Sequence, residues 1–221
     1  MPRQQFHAEL TDLTRQVLLL GAMTEKAISS SMLALRDGDL DASRRIVQDD
    51  LLINAKRFEI EDRCLHVMAM QAPVADELRF IIATLYIITD LERMADHAEG
   101  IAHINLMTVD EPLPRKLGYL PGMADRALSM LRDSLNAYVD RDKDAALRIC
   151  DADDEVDRLQ DAVYDECIQG MIADPSQVTR LTHQLWTAHN LERIADRVTN
   201  ICERVVFLVT GRMEEINVSK Y

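Results

Sequence analysis

Glycine and proline are scarce in this chain, with 7 and 6 in 221 residues, and aromatics make up 5%. A β-sandwich or barrel needs many turns and many β-branched or aromatic side chains, so this poverty argues for helices. The four cysteines, Cys64, Cys150, Cys167 and Cys202, include no C-x-x-C pair. That spacing gives no support to a zinc ribbon or a thioredoxin-type site. Thiols so dispersed fit a reducing compartment and core or partly buried roles. Long apolar runs are missing too. The longest, Phe80 to Ile88, is interrupted by Thr84, whereas spanning a bilayer takes about 20 residues. The N-terminus lacks the pattern of a secretory signal: its first apolar cluster, Val17 to Met23, lies behind Glu9 and Asp12. A cytoplasmic protein without direct membrane insertion is expected. Positive charge is in deficit, with 25 Lys and Arg against 38 Asp and Glu and a net charge of −13. Such a surface repels phosphate backbones and anionic lipid, so nucleic acid is not an expected partner.

What is present is helical periodicity. Hydrophobic residues reach 48%, enough for a packed core. Turn signals at Asp37-Gly38-Asp39, Pro73, Asp140-Arg141-Asp142 and Asp174-Pro175, with a cluster of breakers from Pro112 to Gly122, divide the chain into six segments. Phe6, Leu10, Leu13, Val17, Leu20, Ile28, Met32 and Leu35 follow three-and-four spacing in the first; Leu117, Leu120, Ala124, Leu128, Leu131, Leu135 and Tyr138 do so in the fourth. The expected fold is all-α, built from long helices packed as bundles. Asp39 and Asp142 are expected to cap helices. Met68, Met70 and Met94 read as core filler, and Trp186 as a half-buried anchor.

The chain also repeats itself. At an offset of 103, Asp37, Asp39, Asp41, Ala42, Arg45, Ile46 and Asp50 meet identical residues, and Cys64 meets Cys167. At an offset of 100, DLERMADHAEGIA (90–102) aligns with NLERIADRVTNIC (190–202). The shift in offset falls near Pro73 and Pro175, where loops absorb it. Two copies of a three-helix unit are expected, over residues 1–107 and 123–221, joined by a linker at 108–122.

Acids recur at matching places in the two copies. Counting about 100° per residue from Glu92, the side chains of Asp96, Glu99 and His103 lie within about 40° of it. Ile81, Leu85 and Ile88 lie on the same line, so the acid row continues an apolar stripe. Glu192 and Asp196 repeat this after Leu181, Leu185 and Ala188. Like charges four apart on a helix repel, and desolvation multiplies the cost. The acids must be protonated, paired with Arg or Lys, or neutralised by a cation. Arg93 and Arg193, each one residue on from a Glu, point about 100° away and are expected to reach neighbouring helices instead. Asp50 with Asn54, and Asp153 with Asp157, offer a second edge in each copy. If that helix packs beside the next, four or five oxygen donors surround one point. An all-oxygen set suits hard cations such as Mg²⁺, Mn²⁺, Ca²⁺ or Fe³⁺. A ferritin-like di-iron site needs Glu-x-x-His, but Ala95 and Ala195 stand at those positions. Gly-rich phosphate loops, G-x-S-x-G and Cys–His signatures are missing, so enzymatic chemistry is not expected. His97, His103, His183 and His189 lie near the rows and fit polar helix faces.

The two segments LERMADHAEGI and LERIADRVTNICERVVFLVTG, set in an acidic six-helix chain, resemble the PhoU family of phosphate-signalling regulators. The resemblance covers nearly the whole chain. It implies two tandem three-helix bundles carrying acidic E/D-x-x-x-D motifs for multinuclear metal clusters of iron or zinc, with manganese or magnesium also compatible. By position the implied metal ligands are Glu92, Asp96, Glu99, Glu192, Asp196, Asp153, Asp157, Asp50 and Asn54. Asn54 replaces a second acid, Thr199 stands where the first copy has Glu99, and Ala95 and Ala195 occupy sites often Gly in the family. The resemblance further implies a cytoplasmic negative regulator of phosphate uptake and of starvation signalling. Its implied partners are the sensor histidine kinase of the phosphate two-component system and the ATPase of the phosphate ABC transporter. A homodimer is expected, although no sequence pattern marks its face. A metal-dependent hydrolase or oxidase and a metal-free helical adaptor remain as alternatives.

Overall fold

The computed structural model describes residues 3–109 and 117–216, and side chains from Phe6 onward. Pro112 and Pro114, within the expected linker, lie outside the described residues. The first copy folds as α1 (Arg3–Asp37), α2 (Leu40–Gln71) and α3 (Asp76–Met107). The second comprises α4 (Leu120–Asp140), α5 (Lys143–Asp151), α6 (Asp153–Ala173) and α7 (Val178–Thr210), with a 3-10 turn at Pro175–Gln177. α4 thus begins inside the expected linker, with Pro121 in its first turn.

Capping follows the sequence. Asp39 accepts a hydrogen bond from the Ala42 amide at 2.8 Å, and Asp142 accepts one from the Ala145 amide at 2.9 Å. α2 ends on Ala72, which takes a left-handed φ of 43° ahead of Pro73.

The copies differ at one point that the repeat does not show. The helix matching α2 is broken at Ala152 into α5 and α6. Asp151, Asp153, Asp154 and Glu155 crowd the break. Three of these acids open α6, where a helix N-terminus favours negative charge.

α3 and α7 form the centre of the molecule. They run antiparallel, with His97 meeting Asn190 and Asp90 meeting Arg197. α1 and α2 pack on α3, while α4, α5 and α6 pack on α7. Ile81, Ile87, Leu91, Met94 and Ile101 of α3 are fully buried, as are Leu191, Ile194, Val198 and Ile201 of α7. α1 is long and apolar enough to cross a membrane by length and composition. Its Leu13, Val17, Leu20 and Ile28 nevertheless lie wholly inside the bundle. All four cysteines are buried free thiols. Of the methionines singled out, Met94 fills the core, Met68 is half-buried and Met70 is exposed. Trp186 is 50% exposed, half-buried as expected, and its ring tilts against His183.

The halves also meet away from this seam. Tyr138 of α4 and Thr84 of α3 share a buried hydrogen bond of 2.8 Å between their hydroxyls. Tyr138→Phe removes one partner from a buried pair and is expected to cost about 1–2 kcal/mol. A urea melt checks this, and an unchanged midpoint would show that the bond contributes nothing net.

Candidate metal centre

α2 lies against α3, so the edge carrying Asp50 faces the acid row of α3. One carboxylate oxygen from each of Asp50, Asp96 and Glu99 lies within 4.8 Å of the other two. Asp50 is only 8% exposed. Asn54 donates its amide N–H to Asp50 Oδ2 at 2.7 Å, which fixes the carboxylate, while Oδ1 is buried without a hydrogen-bond partner. A cavity of about 130 Å³, lined by apolar side chains such as Met23, Ile53 and Ala95 together with Lys26, Ser30 and Asp49, adjoins Asp50. Burial, reinforced by the charges of Glu99, Asp96 and Glu92, pushes the Asp50 carboxyl up to about 6. Burial and Asp96 also raise Glu92, against the opposing pull of Arg93 and of Arg57 from α2.

An orphaned carboxylate oxygen beside two further carboxylates is a poor arrangement for solvent alone. It fits a hard cation, which supplies the missing partner and cancels the repulsion. Asn54 contributes here by orienting Asp50. His103 Nε2 sits 3.4 Å from Glu99 at the outer end of the row.

The second copy places Glu192, Asp196, Asp153 and Asp157 in the corresponding region. Glu192 is 4% exposed and Asp153 is 2% exposed. Burial, with Asp196 the strongest of the neighbouring acids, pushes the Glu192 carboxyl up to about 7 even though Arg193 opposes the shift. Asp157 is raised by burial and by Asp196. Among the described residues, however, no set of three carboxylates converges here as in the first copy. Thr199, in place of Glu99, turns its hydroxyl back to donate to the Asp196 carbonyl at 2.8 Å. Asp153 opens a new helix at the break, whereas Asp50 sits within a continuous one.

The expectation for Arg93 and Arg193 is overturned. Arg93 lies along its own helix, 3.5 Å from Glu92 and 3.0 Å from Asp96. Arg193 does the same, at 3.2 Å from Glu192 and 2.8 Å from Asp196. The arginine stem is long enough to swing its guanidinium back over the row, which a count of Cα angles ignores. The approach of Arg193 Nε to Glu192 Oε2 is an ion pair without hydrogen-bond alignment, for that oxygen has no hydrogen-bond partner.

Sequence reasoning also passed over the polar seam between α3 and α7. Arg197 and Asn200 hold Asp90 at 3.3 and 3.1 Å. At the repeat-related place His97 and Asn190 share a hydrogen bond of 3.0 Å. The aligned pair Asp90 and Asn190 was the available signal.

Comparison with known proteins agrees with this architecture. The PhoU domain profile matches residues 17–104 and 120–205. A Clostridium acetobutylicum protein named as a phosphate-specific transport system accessory protein PhoU homolog is 38% identical, over 98% of this chain and 100% of its own. The crystal structure of the phosphate transport system regulatory protein PhoU from Streptococcus pneumoniae superposes with a TM-score of 0.88 at 34% identity, covering 95% of this chain and 99% of that one. The crystal structure of PhoU from Pseudomonas aeruginosa gives a TM-score of 0.88 at 31% identity, over 94% and 100%. A doubled three-helix unit, matched along both copies and from end to end, makes this chain a member of the PhoU family.

Proposed function

We propose that this protein is a cytoplasmic negative regulator of phosphate uptake and of the phosphate-starvation response. It works by contact, as a homodimer, between the ATPase of the phosphate ABC transporter and the sensor histidine kinase of the phosphate two-component system. The observation that carries this reading is likeness along the whole chain to proteins named as accessory or regulatory to phosphate transport. Long helices with exposed faces suit docking onto helical partners. The acid rows serve as cation sites. In the first copy Asp50, Asp96 and Glu99 hold the ion, with Glu92 beside them and Asn54 steering Asp50. Glu192, Asp196, Asp153 and Asp157 provide a weaker second site. Iron, manganese, zinc or magnesium ions are the candidates, and the oxygen-only donor set favours the harder ones. The ion stiffens the α2–α3 edge rather than reacting there.

Deleting the gene is expected to raise expression of phosphate-scavenging genes in phosphate-rich medium. The tagged protein is expected to recover both the kinase and the transporter ATPase from such cells. Unchanged expression together with recovery of neither partner would sink the proposal.

A further inference from the structure

The outward face of α2 is apolar where the fold calls for charge. Leu51, Phe58 and Leu65 are spaced by seven residues and are 71%, 57% and 51% exposed, and Leu52 beside them is 60% exposed. Seven-residue spacing keeps side chains in line along a helix, as in a coiled-coil seam. Exposed Ala55 and Ala69 continue the line, which the exposed Asp62 interrupts between Phe58 and Leu65.

The second copy supplies an internal reference. The buried residues Ile53, Ile60 and Cys64 of α2 match the buried Val156, Val163 and Cys167 of α6. In that register Leu51, Leu52 and Phe58 correspond to Asp154, Glu155 and Asp161, all exposed. Among these four apolar positions only Leu65 keeps an apolar counterpart, Ile168. The same surface of the same unit is thus acidic in one copy and greasy in the other. An aligned apolar stripe of this kind marks a surface that something covers.

Charge argues for what covers it. The chain carries −13 overall, so two copies repel wherever acidic faces meet. α2 has six acidic and five basic side chains, whereas α6 has seven and one. α2 is therefore nearly neutral and can approach its own copy. The three heptad positions Leu51, Phe58 and Leu65 are also symmetric about the middle one. Turned end for end about Phe58, Leu51 falls on Leu65 and Phe58 on itself, as a twofold interface requires.

We propose that the α2 faces of two copies pair antiparallel about Phe58 and form a homodimer. This locates the interface of the homodimer proposed above and requires neither the metal sites nor the phosphate role. Arg57, stacked on the Phe58 ring with its guanidinium 4.7 Å from the ring centroid, fences one side of the seam.

The test uses the full chain. Light scattering after gel filtration is expected to give twice the 25.1 kDa chain mass at micromolar concentration. Phe58→Asp, which installs the acid found in the second copy, is expected to yield the single-chain mass with an unchanged circular dichroism spectrum. Phe58→Cys treated with a short bis-maleimide is expected to cross-link to itself. Leu51→Cys is expected to cross-link to Leu65→Cys when the two proteins are mixed, and not to itself. A single-chain mass for the wild type, or a dimer unaffected by Phe58→Asp, would overturn the proposal. So would a dimer in which Leu51→Cys links to itself and not to Leu65→Cys. If the wild type is a monomer and Phe58→Asp instead loses the transporter ATPase or the kinase, the face serves that partner and the dimer is refuted. Derepression of phosphate genes on deletion, and recovery of the kinase and the ATPase, can hold with or without this interface, which separates its failure from failure of the phosphate role.

Discussion

Asp96→Asn is expected to lower the affinity of the first copy for Mn²⁺ or Fe³⁺ by at least about tenfold, more than the equivalent change Asp196→Asn does in the second. Losing even an outer-shell contact typically costs about 10–100-fold in metal affinity. Asp96 is one of three carboxylates within 4.8 Å of each other, and asparagine removes its negative charge while keeping its size. The effect is smaller in the second copy because Thr199 supplies no carboxylate and, among the described residues, no three carboxylates converge there. Chelator-stripped protein titrated with each ion, followed by metal analysis of the loaded samples, checks both variants. Binding should also strengthen as pH rises from 5 to 7, because the ion displaces a proton from Asp50, whose carboxyl is pushed up to about 6. Equal metal content in the wild type and Asp96→Asn, with no dependence on pH, would remove the site.

The metal-free protein is expected to lose stability as pH rises through neutrality, and Glu192→Gln is expected to stabilise it at pH 7.5. The sign follows from proton binding. Glu192 titrates at about 7 and Asp50 at about 6 in the folded chain, both above their unfolded values. Between roughly pH 4 and 7 the folded state therefore holds more protons, and its stability falls with rising pH. The contribution is fully present below the unfolded pKa and is lost as pH passes the folded one. Solvent reaches parts of both rows, so each group contributes about 1–2 kcal/mol rather than the full value of its shift. For a chain of this length that is about 2–4 °C in melting temperature per kcal/mol. Glutamine cannot ionise, so between pH 5 and 7.5 the variant should lose only the share that Asp50 contributes, while added metal should narrow the loss for the wild type. Calorimetry at the two pH values decides. A wild type as stable without metal at pH 8 as at pH 5, and unchanged by Glu192→Gln, would show that these carboxylates are solvated after all.

The amino-acid sequence displays the fold almost completely because its signals are local and redundant. Three-and-four spacing, capping by Asp39 and Asp142 and the offset of 103 all point to two helical trios. The break at Ala152 escaped because no Gly or Pro marks it; it lies in a crowd of acids that a periodicity count treats as ordinary surface. For the candidate site, the alignment of Glu92, Asp96 and Glu99 with an apolar stripe was visible in the helical angles. The meeting of Asp50 with Asp96 and Glu99 depends on how α2 lies against α3, and periodicity carries no such information. Arg93 and Arg193 show the same limit at the scale of a side chain: their Cα directions point away from the acids and their guanidinium groups do not.

The α3–α7 seam carries a consequence for how the halves diverged. Two identical subunits around a twofold must show the same residue on both sides, so any innovation appears twice. Covalent tandem linkage lifts that restriction: Asp90 can keep its arginine while Asn190 faces a histidine. The same licence covers Glu99 against Thr199 and Leu51 against Asp154. Fusion into a single polypeptide thus lets matching faces of the two halves carry different side chains.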